Sequence, residues 1–517
     1  MRIQNSINNM VFGVSSQLIS ILMGLVVRTV FIYTLGVEYL GIDGLFTSIL
    51  LMLSLANLGF DTAMIYSLYK PLAEKDTYKV QALMNLYKKA YRIIGFAVLV
   101  IGLMLIPFLP YLINGKIPVD NLHLIYILFL MQSVVSYFFI YKQAIIIADQ
   151  RNHIISKIHT FFVLLSNIFL IIVLLTIGIY VWVLVTQLVF KIVENIYISK
   201  RADSMYSYLK ENPKAALTKD ERKTFFENLY SLFLYKISGV VINGSDNIII
   251  SVFAGIIWVG IYSNYLLIIS TVSSLLGYLF YSITASVGNL NVSESRDKNY
   301  LIFRVINFSN FWIYGVCSIS LFILVNPFIT LWIGDEYLLS IPIVFTIILN
   351  FYTTGMQNAS TTFRETTGLF KKGRYRPLYA AGINIIMSII LVQMIGIMGV
   401  FIGTIISRLC VYFWYDPYVI FKYSFSRSSK EYFLRYAVFT LTVVCSGILT
   451  VWVSNLVESD QLINLFYKLA VALTLPNLVF FLVFRKSEEF LYLKNVVNLL
   501  KDNFYKRRTN VIQIKNY

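Results

Sequence analysis

The residues most able to do chemistry are charged side chains that interrupt long apolar stretches. Such a charge costs about 3 to 10 kcal/mol in hydrocarbon unless a partner, water or a ligand stabilises it. Guanidinium groups bind phosphate through forked donors, and an ammonium acts on the same anions as a point charge. The cations therefore point to an anionic ligand, and the carboxylates to ion pairs or cation binding. The residues of this kind are Arg28, Asp61, Lys191, Glu194, Lys236, Asp246, Arg364, Arg408 and Asp416.

The stretches that hold these residues are long enough to cross a membrane. The chain has 517 residues, of which 58% are hydrophobic and 13% charged, whereas a soluble domain has about 25% charged residues. At about 1.5 Å per residue, roughly 20 residues span a bilayer core. The sequence therefore predicts an all-α polytopic membrane protein with about 14 transmembrane helices. They fall near 8–34, 42–68, 91–113, 122–148, 155–177, 179–199, 226–253, 258–290, 303–326, 341–368, 377–395, 397–421, 432–454 and 463–484.

Lysine and arginine collect in every second connection between the predicted helices. The set that includes the central segment 201–225 and the C-terminal tail holds nearly all of the 43 basic residues, whereas the other set holds only Lys116. The positive-inside rule then predicts that both termini lie in the cytoplasm. The net charge of +17 is thus a topology signal, and no nucleic-acid partner is expected.

Motifs typical of enzymes and of cofactor binding do not occur in the sequence. There is no nucleotide-binding Gly-Lys motif, no metal-binding histidine spacing and no nucleophile elbow. The three cysteines lie inside apolar segments, where they are expected to be small core residues. We therefore expect a protein that is not an enzyme and that has no cofactor beyond a proton or sodium gradient.

Two loop segments, 80–92 and 490–504, alternate apolar and basic residues at helical spacing. That pattern suits helices that lie on an anionic inner leaflet. It equally suits ordinary helices packed on the protein. Both interpretations stay open at this point.

The sequence contains an internal repeat. The motif GVEYLGI at 36–42 recurs as GIIWVGI at 255–261, a shift of 219 positions. Further along, TIGI at 176–179 is matched by MIGI at 394–397 at nearly the same shift. Each half holds an even number of helices, so the halves enter the membrane in the same direction and are related by an axis along its normal. Such a pair encloses a central cleft.

The repeat and the charge pattern together predict the domain organisation. Residues 1–200 form an N-terminal six-helix lobe and 226–421 a C-terminal six-helix lobe. A cytoplasmic linker at 201–225 joins them. Helices 13 and 14 at 422–484 fall outside the repeat, and 485–517 form a basic cytoplasmic tail.

Polar residues recur at equivalent depths in the first helix of each half. The shift of 219 aligns Lys236 with Gln17 and Asn247 with Arg28, and Asp246 directly precedes Asn247. Both helices are therefore expected to line the cleft.

The predicted ligand site is cationic. Lys236 and Arg408 lie roughly 16 Å from the nearer helix end, close to the membrane midplane, where a long side chain reaches water with most difficulty. Neutral amides supply hydrogen bonds of the kind that sugars accept, although a single amide can equally join two helices. The predicted substrate-binding residues are Arg28, Lys236, Arg408, Arg364, Gln17, Asn243 and Asn247.

Three carboxylates, Asp61, Glu194 and Asp246, are candidates for binding a proton or sodium. Asp246 has a second predicted role, because pairing with Arg28 across the cleft would close an outer gate. A test of that gate is whether substitutions at the two positions act independently.

Several of these residues have a structural alternative. Glu194 follows Lys191 by three positions, so the two side chains can pair on one helix face. Asp61 can cap a helix break at Gly59. Arg364 and Asp416 lie near a cytoplasmic helix end, where both can reach polar surroundings.

Five runs of the sequence carry a resemblance to a known family: ANLGFDTAMIYSLYKPLAEKD (56–76), VGIYSNYLLI (259–268), SVGNL (286–290), NPFITLWIGDEYLL (326–339) and the segment 394–425. They resemble bacterial polysaccharide repeat-unit flippases of the Wzx type, within the multidrug/oligosaccharidyl-lipid/polysaccharide exporter superfamily. The resemblance covers nearly the whole chain. It implies a V-shaped exporter fold with two six-helix lobes and two extra C-terminal helices. A first-helix arginine before the outer glycine, similar to Arg28, also fits that family.

The resemblance implies transport of undecaprenyl-diphosphate-linked oligosaccharide from the inner to the outer leaflet of the bacterial plasma membrane, for capsule or other surface polysaccharide. Membrane lipids and a polysaccharide polymerase are the expected partners. A flippase for another lipid-linked cell-wall precursor would look nearly the same. A multidrug exporter of the same fold is the other alternative, although it should favour acids and an apolar pocket over cations.

Overall fold

The computed structural model describes residues 2–54, 60–114, 119–211, 215–369, 372–457, 460–496 and 498. Within these ranges the chain is helical and contains no β-strand, so the all-α prediction is confirmed. The α-helices are α1 Arg2–Leu35, α2 Val37–Leu53, α3 Phe60–Glu74, α4 Thr77–Met104, α5 Leu122–Tyr137, α6 Ile140–Ala148, α7 Asn152–Thr176, α8 Tyr180–Met205, α9 Lys219–Phe253, α10 Ile256–Ser293, α11 Arg296–Ile333, α12 Ile341–Met356, α13 Asn358–Thr366, α14 Arg376–Ile395, α15 Ile397–Ile420, α16 Lys430–Ser454 and α17 Gln461–Phe484.

Each of the fourteen predicted spans contains one helix or one broken pair of helices. The pairs are α2 with α3, α5 with α6, and α12 with α13. Among the described residues, nine helices are long and apolar enough to cross a membrane, or eleven if two bent pairs count as spans. Those two are α4 with the 3₁₀ turn after it, bent by 59°, and α5 with α6, bent by 44°. The remaining three predicted spans, α2 with α3, α9, and α12 with α13, do not meet that criterion.

The repeat is visible in the backbone. Gly36 and Gly255, which precede α2 and α10, both have positive φ, at 87° and 107°. Gly178 and Gly396, which precede α8 and α15, have φ of 64° and 65°. Side chains with a Cβ rarely adopt this conformation, so glycine is required where each pair of helices turns. The repeat is confirmed at these two pairs of positions.

A second pair of repeat glycines lets α2 and α10 cross at close range. A Cβ on Gly41 would lie 2.2 Å from the Ile256 carbonyl oxygen, and a Cβ on Gly260 would lie 2.3 Å from the Val37 carbonyl oxygen. Val37 and Ile256 are equivalent in the repeat, so the two contacts are reciprocal. We call this arrangement the glycine crossing.

Contacts divide the chain into two compact units. The first unit comprises Met1–Asn264 and Arg374–Thr404, and the second comprises Tyr265–Gly373 and Ile405–Tyr517. The glycine crossing lies wholly in the first unit. The predicted division into lobes at 1–200 and 226–421 stays a prediction.

In the second unit, α16 and α17 pack on α11 through aromatic rings. Phe311 stacks on Phe439 with ring centroids 4.4 Å apart, and it also contacts Phe480 at 4.8 Å. Aromatic pairs at such distances add to the stability gained from burial. These contacts fix the two helices that lie outside the repeat.

The amphipathic segment 80–92 packs on the protein through its apolar face. Val80, Gln81, Leu83 and Tyr87 on α4 are buried. The Gln81 side-chain amide donates to the Tyr208 carbonyl in the segment that joins α8 to α9. This contact supports the packed-helix interpretation.

The described part of the second amphipathic segment also packs on the protein. Phe490 stacks on Trp312 with centroids 5.8 Å apart, and Glu489 lies 2.6 Å from Arg304 Nη2. Burial works to raise the pKa of Glu489, but its backbone hydrogen bond and the guanidinium groups of Arg304 and Arg435 lower that pKa overall. Residues 499–504 of this segment lie outside the described residues.

The glycine crossing gives a test of stability. We expect Gly41→Ala to destabilise the protein by about 1 to 3 kcal/mol, because the added methyl group meets backbone rather than a movable side chain. Thermal unfolding in detergent measures this as a lower Tm. Gly24→Ala is the control, since nothing lies within 4 Å of a Cβ at that helical position. An equal Tm for the two variants would contradict the close approach.

Candidate functional site

The guanidinium of Arg28 on α1 is held by polar groups of the first unit. Its Nε donates to Asn264 Oδ1 at 3.0 Å, and Nη2 donates to Ser263 Oγ. Arg28 also interacts electrostatically with Asp43 on α2, whose carboxylate accepts a 3.0 Å hydrogen bond from the Tyr180 hydroxyl. A cation inside an apolar helix thus has both hydrogen-bond acceptors and a counter-charge.

The repeat equivalent of Arg28 makes the equivalent contact. Asn247 on α9 donates to the Gly44 carbonyl at 3.4 Å and to Ser48 Oγ at 2.9 Å. Gly44 and Ser263 are separated by the same 219 positions as Arg28 and Asn247. The first helix of each half therefore reaches the second helix of the other half, with a cation on one side and a neutral amide on the other.

Asp246 lies in a buried cluster of oxygen-bearing side chains. Its Oδ1 accepts a 3.4 Å hydrogen bond from Thr404 Oγ1, and Thr404 accepts a 2.9 Å hydrogen bond from Asn384 Nδ2. Nearby, Ser388 Oγ donates to the Val400 carbonyl at 3.2 Å. The cluster thus holds a carboxylate, hydroxyls and a backbone carbonyl, which are oxygen ligands of the kind that hard cations prefer.

Lys236 on α9 reaches α3. Its Nζ donates to Thr62 Oγ1 at 2.8 Å, and the side chain is partly exposed. The adjacent Asp61 accepts a hydrogen bond from the Tyr91 hydroxyl. Asp61 lies in the first turn of α3, and the proposed break at Gly59 is outside the described residues.

Glu194 on α8 pairs with two cationic or titratable groups. Lys191 Nζ lies 3.8 Å from Glu194 Oε2, so the expected pairing on one helix face is confirmed. His159 Nδ1 on α7 lies 2.7 Å from Glu194 Oε1. Sequence reasoning missed this contact because His159 and Glu194 are 35 residues apart in the chain.

Arg364 and Asp416 form a buried ion pair in the second unit. Arg364 Nη1 lies 3.3 Å from Asp416 Oδ1, and each side chain is only 3% exposed. Arg364 Nη2 also donates to the Lys372 carbonyl. These contacts favour the structural alternative for Arg364.

The remaining predicted residues differ in their surroundings. Arg408, also in the second unit, donates from Nη1 to Gln357 Oε1 at 3.4 Å and is partly exposed. Gln17 on α1 is partly exposed, and Asn243 on α9 is exposed.

The expected pairing of Arg28 with Asp246 is not among the contacts of the described residues. Arg28 instead donates hydrogen bonds to Ser263 and Asn264 and interacts electrostatically with Asp43, and Asp246 accepts a hydrogen bond from Thr404. Asp43 was missed because it follows the repeat motif at the end of a predicted span, where a carboxylate usually faces water. The repeat could have indicated Asp43, because Asp43 precedes Gly44, the repeat equivalent of Ser263.

Comparison with known proteins was made at the level of sequence and of structure. No family model matches the sequence, and no curated protein matches it. Among solved structures, the lipid II flippase MurJ in an inward closed conformation has a TM-score of 0.63 at 17% identity, over 91% of this chain and 99% of that chain. An inward-facing multidrug resistance MATE transporter of the MOP superfamily also has a TM-score of 0.63, at 13% identity, over 78% and 94%.

The chain has the fold of these transporters. A MATE transporter of Vibrio cholerae, with a TM-score of 0.55 at 13% identity over 83% of this chain and 99% of that chain, shares it as well. Together with the apolar helices, this fold identifies a multi-pass membrane protein. At 13% to 17% sequence identity, the similarity shows a shared fold.

The buried ion pair gives a second test. Arg364→Met should lower the free energy of unfolding by about 3 to 5 kcal/mol, because it leaves Asp416 buried without that partner. The double variant with Asp416→Leu should recover most of the loss in Tm. If Arg364→Met unfolds at the wild-type temperature, Arg364 does not have a structural role.

Proposed function

We propose that this protein is a flippase that moves undecaprenyl-diphosphate-linked oligosaccharide from the inner to the outer leaflet of the bacterial plasma membrane, for assembly of a surface polysaccharide such as capsule. The observation that carries the proposal is Lys236. This ammonium lies in the predicted span 226–253 and is partly exposed, and its described hydrogen bond goes to a neutral hydroxyl, which does not cancel its charge. An anionic headgroup supplies the charge that is missing.

A two-lobed exporter can move a substrate that has a polar head and an apolar tail. Each hydroxyl of a sugar headgroup that loses its hydrogen bonds costs several kcal/mol in hydrocarbon. The polyprenyl tail would suffer a comparable loss in water. A cleft that opens sideways to lipid lets the head pass through protein while the tail stays in the bilayer. We propose that Arg28, Lys236 and Arg408 hold the diphosphate, and that Gln17, Asn243 and Asn247 bind sugar hydroxyls.

The contacts around the glycine crossing support a role in closing the cleft toward the outside. Arg28 and Asn247 each hold the second helix of the opposite half, one turn from the crossing. In alternating access, these contacts form in the state that is open to the cytoplasm and break when the outer side opens. In this proposal the gate partners of Arg28 are Ser263, Asn264 and Asp43 in place of Asp246.

Two sources of energy are proposed for the outward step. A headgroup with about two negative charges gains roughly 4 to 5 kcal/mol when it moves outward across 100 mV, inside negative. Sodium bound by the Asp246 cluster can add to this, since its oxygen donors fit a hard cation. Asp61 and Glu194 stay as the alternative proton sites.

Two other cargoes keep specific support. The similarity of fold to a lipid II flippase supports a lipid-linked cell-wall precursor, and the similarity to MATE transporters supports a multidrug exporter. The cations on α1 and α9 favour a phosphorylated lipid over a cationic drug. A cytoplasmic location of both termini and contact with a polysaccharide polymerase complete the proposal.

A leaflet-resolved assay with purified protein in liposomes tests the cargo. Polyprenyl-diphosphate oligosaccharide should be flipped faster than a cationic drug is transported, and Lys236→Gln and Arg408→Gln should each slow flipping about tenfold or more, through loss of a charge-assisted contact. Lys200→Gln, an exposed lysine at the end of α8, is the matched control. Preferential transport of the drug would reject the flippase proposal, and preferential transport of lipid II would change its cargo.

The sodium site has its own test. Asp246→Asn should remove the dependence of the initial flipping rate on a sodium gradient, because it removes the charged ligand, and Thr404→Val should weaken that dependence. Asp335→Asn, at an exposed position after α11, is the control. Sodium dependence that survives in Asp246→Asn would exclude this cluster as the coupling site.

A further inference from the structure

A basic pocket lies at the end of α15 in the second unit. The helix ends in a π-helical turn at Phe421–Phe425, and Ser426 then adopts a left-handed conformation with φ of 55°. This change of direction leaves a cavity of about 490 Å³ before α16 begins. That volume suits a small-molecule group. The polar residues that line the cavity are Tyr418, Lys422, Ser426, Arg427, Ser428 and Ser429.

The charges around the pocket are mainly positive. Lys422 Nζ lies 3.0 Å from the Tyr418 hydroxyl, and Arg296 Nη1 donates to Ser426 Oγ at 2.9 Å. Arg427 Nη2 lies 2.9 Å from Asp297, a carboxylate that is largely exposed. Three cations and one paired carboxylate leave an excess of positive charge at the pocket.

Two serine hydroxyls at the pocket accept hydrogen bonds from neighbouring residues. Ser426 Oγ accepts its hydrogen bond from Arg296, and Ser428 Oγ accepts one from the Lys430 backbone N–H at 3.3 Å. A hydroxyl whose oxygen already accepts keeps its own proton for another acceptor. Hydroxyl donors beside the ammonium of Lys422 and the guanidinium of Arg427, whose partner Asp297 is largely exposed, match the oxygens of a phosphate group.

Exposed aromatic residues near the pocket are of the types that gather at the level of lipid headgroups. Trp414, Tyr418 and Tyr423 at the end of α15 are 48%, 41% and 45% exposed. Tryptophan and tyrosine gather at membrane–water interfaces because one part of each ring system is apolar and another is polar. A ligand in this pocket is therefore within reach of the membrane surface.

We infer that this pocket binds a phosphate group, carried either by an anionic phospholipid or by a free phosphate compound. Lys422, Arg427 and the hydroxyls of Ser426 and Ser428 hold its oxygens. Basic pockets next to membrane helices are known places for acidic headgroups. The site is separate from the cations proposed to bind the cargo, so the two proposals can fail independently.

A binding experiment on the full-length protein in neutral detergent tests the inference. Phosphatidylglycerol, phosphatidylcholine and inorganic diphosphate are titrated separately, and bound lipids or the shift in Tm are recorded. Ser428→Asp keeps an acceptor for the Lys430 N–H but adds a negative charge, so it should weaken binding about fivefold to tenfold. Ser428→Asn keeps a similar shape without the charge and should bind nearly as the wild type does.

A second pair of variants guards against nonspecific attraction. Lys422→Gln should weaken binding of the phosphate compound, whereas Lys200→Gln, which removes an exposed lysine on another helix, should not. Binding of phosphatidylglycerol over phosphatidylcholine identifies a lipid as the source, and binding of diphosphate alone identifies a soluble one. Equal binding by Ser428→Asp and wild type, equal effects of the two lysine variants, or no preference for any phosphate anion over phosphatidylcholine would overturn the inference.

Discussion

The energetic penalty of a charge in hydrocarbon determines how the polar residues of this protein are arranged. Arg28 and Glu194 lie on apolar helices, and Lys236 and Asp246 lie in the predicted span of α9. Each has a named hydrogen-bond or ionic partner on another helix. Those partners come from distant parts of the chain, so satisfying each charge also joins helices. The same contacts that make the charges tolerable therefore hold the first unit together.

The two halves of the repeat share backbone contacts but differ in their side-chain contacts. At the glycine crossing the backbone contacts are reciprocal, but Arg28 faces Ser263 and Asn264 where its equivalent Asn247 faces Gly44. The shared geometry comes from backbone and glycine, and the difference comes from side chains alone. Function can therefore diverge between the halves without disturbing the fold that both require.

The sequence predicted the features that depend on local pattern. Helix type, the repeat glycines and the in-span charges follow from hydropathy and spacing, and Lys191 with Glu194 followed from helical periodicity. The bend between α5 and α6 did not, because no proline or glycine interrupts 122–148. Asp43 and His159 gain their importance only from residues that tertiary folding brings near, Arg28 and Tyr180 for the first and Glu194 for the second.

The close approach of α2 and α10 has a mechanical consequence. The contacts at Gly41 and Gly260 are two copies of one arrangement, so a motion that preserves their local symmetry loosens both by the same amount. Under such a motion the junction opens in a single cooperative step rather than one contact at a time.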